Sequence, residues 1–265
     1  MSGVMLCCPV KYPAGEWLHL FLRGVERLEG ISRCVFTYGP PDGPLPYPDP
    51  TLKKLEAWTK ETKHEVEVYR EPPMERPGGV LWISAIYREY QELIRDDESH
   101  VLMMDADLVE MPADLVQRLL RLDADIAAPY VWVRDHVPPL FYDSYVFRLR
   151  GYRFHPFLPP NPGKPFRLDS VGTCVLARRE VFRKFPYRNP AGHLNFCADA
   201  REAGYEVWAD PTTEVSHLDL ARLGIFHNPA SHEDYQIPFI KNDGSVVNLE
   251  EYGIEMTRIF IEGHT

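Results

Sequence analysis

The run Val101-Leu102-Met103-Met104 ends in Asp105-Ala106-Asp107. Successive apolar residues without alternation suit a strand buried on both faces, as in a parallel sheet covered by helices. Two carboxylates follow where that strand ends. In open α/β sheets, ligands sit beyond the carboxyl ends of the strands. Asp105 and Asp107 are two apart, so an extended chain points both side chains the same way. A pair of hard oxygen donors on a rigid strand end suits Mg2+ or Mn2+ carrying a phosphate group. An isolated Asp-x-Asp is more often a strand capped by solvated acids. The apolar run before this one and the helical pattern after it favour a site.

The rest of the chain alternates strand and helix patterns. Residues 4–10 read as a first strand. Trp17, Leu18, Phe21, Leu22, Val25 and Leu28 then recur at helical spacing. Residues 34–38 form a second strand, Leu52, Leu55 and Trp58 mark a second helix, and residues 64–69 a third strand. Ile83, Ile86, Tyr87, Tyr90, Leu93 and Ile94 make the stripe of a third helix. Residues 39–50 and 71–79 are loops, because neither helix nor ladder tolerates that much proline. Beyond Asp107, Pro112 fits the first position of a helix buried through Leu115, Val116, Leu119 and Leu120. Residues 126–129 form a short strand. Residues 130–167 carry many aromatics and prolines with little periodicity, and such a stretch is often functional. A strand over 170–177, helices over 178–185 and 194–203, Gly204 at C′ and a strand over 207–209 closed by Asp210-Pro211 complete the pattern. It predicts an α/β fold: a mainly parallel sheet flanked by helices, in a single domain over 1–265, with 218–265 a C-terminal tail or lid. Asn242-Asp243-Gly244 reads as a turn in that tail.

With 265 residues, 45% hydrophobic and 26% charged, the chain can fill one large core. A net charge of -10 argues against a nucleic-acid partner, whose binding surface is usually basic. No apolar run reaches the ~20 residues of a membrane span. Residues 1–9 lack the basic and apolar regions of a signal peptide. Cys7, Cys8, Cys34, Cys174 and Cys197 are odd in number and have no Cys-x-x-Cys spacing. They read as reduced, buried thiols, and the expected location is the cytoplasm.

In this order the motifs resemble those of GT-A fold nucleotide-sugar glycosyltransferases. Cys8-Pro9-Val10 is similar to the first-strand turn that meets the nucleotide base. Met104-Asp105-Ala106-Asp107 resembles the metal-binding DxD element. The segment Ser170-Val171-Gly172-Thr173-Cys174 looks like the strand beside the acceptor, and Val215-Ser216-His217 like the late strand whose histidine completes the metal site. Two branches come closest, the family-2-like transferases and the Anp1/Mnn9-like mannosyltransferases. Ala128-Pro129-Tyr130 and Phe141-Tyr142-Asp143 lean towards the second. Where both branches usually carry acids before the late helix, this chain has Gly192-His193-Leu194-Asn195.

The resemblance implies a metal-dependent transfer of sugar from a GDP- or UDP-linked donor to a hydroxyl acceptor. Mn2+ or Mg2+ would be held by Asp105, Asp107 and His217, with His227 or His232 as replacements for the last. Pro9, Val10, Tyr38, Arg76, Asp105 and Ala106 are the donor-side candidates, and Gly172 lies on the acceptor side. His193 aligns with the position of a catalytic Asp and is the candidate base, since a neutral imidazole can take a proton at pH 7. Trp132, Phe141, Tyr142, Tyr145 and Tyr152 form either a sugar-stacking platform or local core. The alternatives are a nucleotidyltransferase and a nucleotide-sugar-binding protein without transfer activity. The first is disfavoured because Lys11-Tyr12-Pro13-Ala14-Gly15 is not a basic glycine-rich loop.

Overall fold

The structure, a computed structural model, describes residues 3–11, 14–40, 49–71, 80–188 and 192–218, and two short strands at 239–240 and 246–247. The first half runs β1 (Gly3–Lys11), α1 (Leu18–Arg27), β2 (Ile31–Gly39), α2 (Thr51–Thr59), β3 (Glu65–Arg70), α3 (Val80–Leu93), β4 (Glu98–Met104), β5 (Leu108–Glu110) and α4 (Leu115–Leu120). The second half runs β6 (Ile126–Val133), β7 (Leu140–Phe141), β8 (Arg148–Leu149), β9 (Tyr152–Arg153), β10 (Phe166–Arg167), β11 (Cys174–Arg178), α5 (Arg179–Lys184), α6 (Gly192–Glu202), β12 (Val207–His217), β13 (Phe239–Ile240) and β14 (Val246–Val247). The main sheet has the order β10-β12-β6-β11-β4-β1-β2-β3. Strands β3, β2, β1 and β4 are parallel. β11 enters antiparallel between β4 and β6, and β12 returns parallel to β6. This is the expected mainly parallel α/β sheet.

The apolar run of β4 explains its lack of alternation. Val101 and Met103 pack in one core with Tyr87, Tyr90, Phe182 and Phe196. Leu102 and Met104 pack in the other with Phe21, Leu22, Phe36 and Leu115. Every side chain of a strand covered on both faces meets a core, so none needs to be polar. All five cysteines are free and buried. Among the described residues no helix is long and apolar enough to cross a membrane.

Several boundaries differ from the sequence pattern, each for a local reason. β6 runs on to Val133, because Tyr130, Val131 and Val133 continue into the cores. The strand expected over 207–209 and the late strand at Val215 are one strand, β12, with an irregularity between Asp210 and Glu214. There the Asp210 carboxylate accepts hydrogen bonds from Thr212 N at 2.9 Å and from the Thr213 hydroxyl at 2.6 Å, so the break costs few unpaired groups. α4 starts at Leu115, past Pro112, whose carbonyl accepts from Leu115 N at 3.1 Å. β11 begins only at Cys174, because Thr173 has φ +62° and cannot continue a ladder. The turn expected at Asn242-Asp243-Gly244 lies outside the described residues, between the paired strands β13 and β14.

A buried ion pair anchors the amino edge of the parallel strands. Arg33 on β2 and Glu98 at the start of β4 are each 2% exposed. The guanidinium donates from Nε and Nη2 to the two Glu98 oxygens at 2.9 Å, from Nη1 to Glu67 at 2.9 Å and from Nη2 to the Leu93 carbonyl at 2.8 Å. The second Asp-x-Asp, Asp123-Ala124-Asp125, lies on this same edge, before β6. Arg178, at the end of the antiparallel β11, pairs with Asp123 at 2.6 Å and Asp125 at 3.4 Å.

Removing one partner of a buried pair strands the other charge. Arg33→Met is expected to lower the unfolding free energy by about 3–5 kcal/mol, as measured by denaturant titration, and Arg33→Met with Glu98→Leu to recover most of that loss.

Candidate functional site

At the opposite edge, the carboxyl ends of β1, β2 and β4 lie side by side. Pro9 and Val10 are in register with Thr37 and Tyr38. Val10 is fully buried, so what this strand end offers a ligand is backbone more than side chain. Tyr38 is buried and donates its hydroxyl to Asp49 Oδ2 at 2.8 Å. Burial and then Asp49 push its pKa up to about 12. The other Asp49 oxygen accepts from Thr51 N at 2.9 Å and from the Thr51 hydroxyl at 2.5 Å. Asp49 was hidden from sequence reading inside a proline-rich stretch. Arg76, His227 and His232 lie outside the described residues.

Asp105 and Asp107 are brought together by a turn between β4 and β5, and not by the alternation of an extended strand. Leu108 N reaches the Asp105 carbonyl at 3.4 Å, and Asp105 N donates to the Thr173 carbonyl at 3.1 Å. β5 then pairs antiparallel with the end of β12, with Leu108 opposite His217. This pairing sets His217 Nε2 3.0 Å from Asp107 Oδ1. Tertiary structure thus joins two residues separated by more than a hundred positions.

The His217 ring is 4% exposed. Its Nδ1 lies 2.6 Å from the Leu218 carbonyl. A carbonyl only accepts, so Nδ1 carries the hydrogen, and Nε2 of the neutral ring is a lone pair. That lone pair faces a carboxylate. Both atoms are buried and neither has a hydrogen-bond partner beyond the other, to which Nε2 bonds only when it carries a proton. Two acceptors turned on each other need a cation between them, either a proton or a metal ion. Burial opposes charge on the ring, but Asp107, the Leu218 carbonyl and Asp105 together hold the His217 pKa above its ordinary value. Among the described residues, no three His, Cys, Asp or Glu side chains are placed so that they could hold a metal ion together. The fit rests on this opposed pair, with Asp105 beside it, and a nitrogen donor suits Mn2+ better than Mg2+.

The stretch over 130–167 supplies the wall of this corner. Tyr130, Phe141, Phe147 and Phe154 pack as one aromatic cluster, and Trp132 stands edge-on to Phe141. These residues are core. Tyr142, next in the chain, stacks on His217 with ring centroids 3.6 Å apart. Asp143 is buried, accepts a hydrogen bond from the Thr173 hydroxyl, and leaves its second oxygen without a partner. Burial raises the Asp143 pKa to about 7. Burial and then the Asp107 charge raise that of Asp105. In sequence Tyr142 is one of an aromatic group and Phe141-Tyr142-Asp143 one leaning towards a branch, and nothing there signals that Asp143 lies near Asp105 and Asp107.

Gly172 is where this wall meets β11. A Cβ at Gly172 would stand 2.6 Å from Val146 Cγ2, so only glycine lets the two segments approach this closely. His193 opens α6 and is half-buried, edge-on to Tyr87 and Tyr187 at 5.3 Å and 5.2 Å. Its Nδ1 lies 3.2 Å from the Tyr187 hydroxyl. Burial lowers its pKa to about 4, so the imidazole is neutral at pH 7. Both tyrosines feel the charge of Asp105, so His193 is one ring removed from the acidic corner and not in contact with it.

No family profile matches the chain, and no curated protein is similar to it in sequence. Solved structures are similar to it in fold. A mannosyltransferase from Pyrobaculum calidifontis, in complex with GDP-Man and Mn2+, matches with a TM-score of 0.55 and 13% identity over 81% of this chain and 56% of that one. Staphylococcus aureus TarS, residues 1–349, matches with a TM-score of 0.53 and 8% identity over 83% and 62%. HddC from Yersinia pseudotuberculosis matches at 0.50 with 12% identity over 85% and 98%. The chain thus has a GT-A-like α/β fold similar to that of the mannosyltransferase, and it spans little more than half of that protein's length.

The raised carboxyls and the raised histidine set a pH dependence. A group whose pKa is higher folded than unfolded stabilises the protein below its unfolded value, and that contribution is lost as pH rises through the folded value. For Asp143 the loss runs from about pH 4 to about pH 7. A divalent cation held at this corner would take the place of those protons and would bind better as they leave. Mn2+ is therefore expected to raise Tm more at pH 8 than at pH 5. A hundredfold excess over Kd corresponds to about 2.7 kcal/mol. Calorimetry with Asp107→Asn as control is the check, since that variant should lose the increment.

Proposed function

We propose that the chain transfers a sugar from a nucleotide-diphospho-sugar to a hydroxyl acceptor, with Mn2+ or Mg2+ held by Asp105, Asp107 and His217. The observation that carries this reading is the His217 lone pair turned on the Asp107 carboxylate at the carboxyl ends of the parallel strands. When bound there, the metal would offset the negative charge that grows on a leaving nucleoside diphosphate. The chain's own groups have separate tasks. Tyr38, fixed by Asp49, and the backbone of Pro9, Val10 and Ala106 bind the nucleoside side of the donor, with Arg76 on the diphosphate. Tyr142 covers the histidine and keeps water from it. Gly172, packed against Val146, sets the acceptor-side wall against the start of β11. His193 is the acceptor-side group that can accept a proton, and it is needed only if the sugar's configuration is inverted.

The GDP-Man and Mn2+ of the Pyrobaculum calidifontis neighbour, together with the Anp1/Mnn9-like motifs, make GDP-mannose the first donor to try. The expected result is metal-dependent release of nucleoside diphosphate from one nucleotide-sugar. Release of pyrophosphate from a nucleoside triphosphate and sugar phosphate would identify a nucleotidyltransferase instead. Full turnover without divalent metal would sink the proposed role of the carboxylates.

Three variants separate the roles. Asp107→Asn should abolish turnover in a folded protein. Asp123→Asn with Asp125→Asn, at the other edge of the sheet, should leave it nearly intact. Asp123 sits at φ +50°, which asparagine adopts readily. If NMR shows an inverted product, His193→Ala should lower kcat by ~10²-fold with donor affinity unchanged; a near-normal kcat would remove His193 from the chemistry.

A further inference from the structure

Arg148 and Arg153 are cross-strand partners in the β8–β9 hairpin. Like charges placed directly opposite destabilise a ladder. Both guanidiniums lie over one ring, that of Tyr145, with the Arg148 and Arg153 Cζ atoms 5.3 Å and 4.7 Å from its centroid. Arg148 is only 6% exposed, and its Nη1 is buried without a hydrogen-bond partner. The carboxylate whose charge reaches Arg148 is Asp169. Its oxygens are engaged elsewhere, Oδ1 by Arg201 at 3.0 Å and Oδ2 by Gly151 N at 2.7 Å. Burial and then the like charge of Arg153 lower the Arg148 pKa to about 10. A buried cation with an unsatisfied donor is costly, and an anion would satisfy it.

The hairpin is fastened to the acceptor side of the candidate site. Arg148 N donates to the Ser170 carbonyl at 3.3 Å, Asp169 N to the Arg148 carbonyl at 2.7 Å, and the Ser170 hydroxyl to the Val146 carbonyl at 2.5 Å. From Ser170 the chain passes directly to Gly172 and Thr173. Tyr145 ends the short helical turn Tyr142–Tyr145, and Tyr142 is the ring stacked on His217. Tyr145 therefore lies three residues along the chain from that ring. Tyr145 is also 57% exposed and Arg153 half-buried, so the ring and Arg153 border on solvent while Arg148 lies buried beside them.

We propose that Arg148 and Arg153, held over Tyr145, bind an oxyanion, a carboxylate or a phosphate, carried by the acceptor. Guanidinium forks match the planar spacing of such oxygens, and the aromatic ring holds both forks in place before the ligand arrives. The net charge of -10 repels polyanions at long range, so the fit is to a single anionic group on a small acceptor. The oxyanion site stands on the hairpin alone, and its acceptor role rests on the transferase reading above.

The test is calorimetric titration of the full chain, stripped of metal, with inorganic phosphate and separately with acetate at low ionic strength. Saturable binding of either anion is expected, unchanged in Asp107→Asn, about tenfold or more weaker in Arg153→Gln and partly restored in Arg153→Lys. The anion that binds more tightly names the group on the acceptor. Tyr145→Leu, a change at an exposed ring, should also weaken binding and serves if Arg153→Gln does not fold. Flat titrations of both anions, or binding that Arg153→Gln and Tyr145→Leu leave unaltered, would overturn the site. With an acceptor that supports transfer, Arg153→Gln should raise the acceptor KM and leave donor hydrolysis alone; an unchanged KM would overturn the acceptor role. If phosphate binds through Arg153 but no donor releases nucleoside diphosphate, the transferase reading falls and the oxyanion site remains.

Discussion

The carboxyl edge of the sheet depends on how β11 enters it. β11 runs antiparallel between β4 and β6, with Cys174 opposite Met104. An antiparallel neighbour brings its own beginning to the end of the strand beside it. Gly172 and Thr173 are therefore set against Asp105 at the point where β4 stops. Thr173 takes a left-handed conformation there, a strained one for a β-branched residue, on the order of 1–2 kcal/mol. Its carbonyl accepts from Asp105 N and its hydroxyl donates to Asp143. Those two bonds hold the strained residue, and through it the DxD turn, against the aromatic wall.

The two ends of β4 contrast in their electrostatics. At the amino end, Glu98 is buried with both oxygens bonded to a guanidinium that has further partners on β3 and at the end of α3. At the carboxyl end, Asp107, Asp143 and His217 each keep a buried polar atom without a hydrogen bond. The first arrangement is internally complete and holds four elements in register. The second is incomplete and is stabilised by whatever positive charge enters it. Unsatisfied buried groups of this kind persist where a ligand completes them.

The irregular stretch over 130–167 links both halves of the proposed chemistry. Its aromatic cluster is ordinary core packing, with rings about 5–6 Å apart in edge-on and tilted arrangements. That packing fixes the short turn from Tyr142 to Tyr145. One end of the turn covers His217 and the other supports Arg148 and Arg153. Core residues thus set the spacing between the acidic corner and the hairpin arginines.

The sequence by itself determined the α/β class, the alternation of the first four strands with their helices, and the position of Asp105 and Asp107 at a strand end. Those features are periodic or local: a double-faced apolar run, a helical stripe or a proline-dense loop is written within about a dozen residues. It marked His217 through a motif's order, without the pairing of β5 with β12 that seats the ring against Asp107. It singled out Gly172 through a resemblance to an acceptor-side strand, without the close approach of Val146. It missed Asp49 as the partner of Tyr38, the role of Asp143 and the continuity of β12. The tertiary structure decided these, because each depends on contacts between distant segments: burial turns an ordinary aspartate into an unsatisfied one, and strand pairing turns a distant histidine into its neighbour. His193 shows the same division. Its position at a helix start was readable, while its low pKa and its place among Tyr87 and Tyr187 follow only from packing.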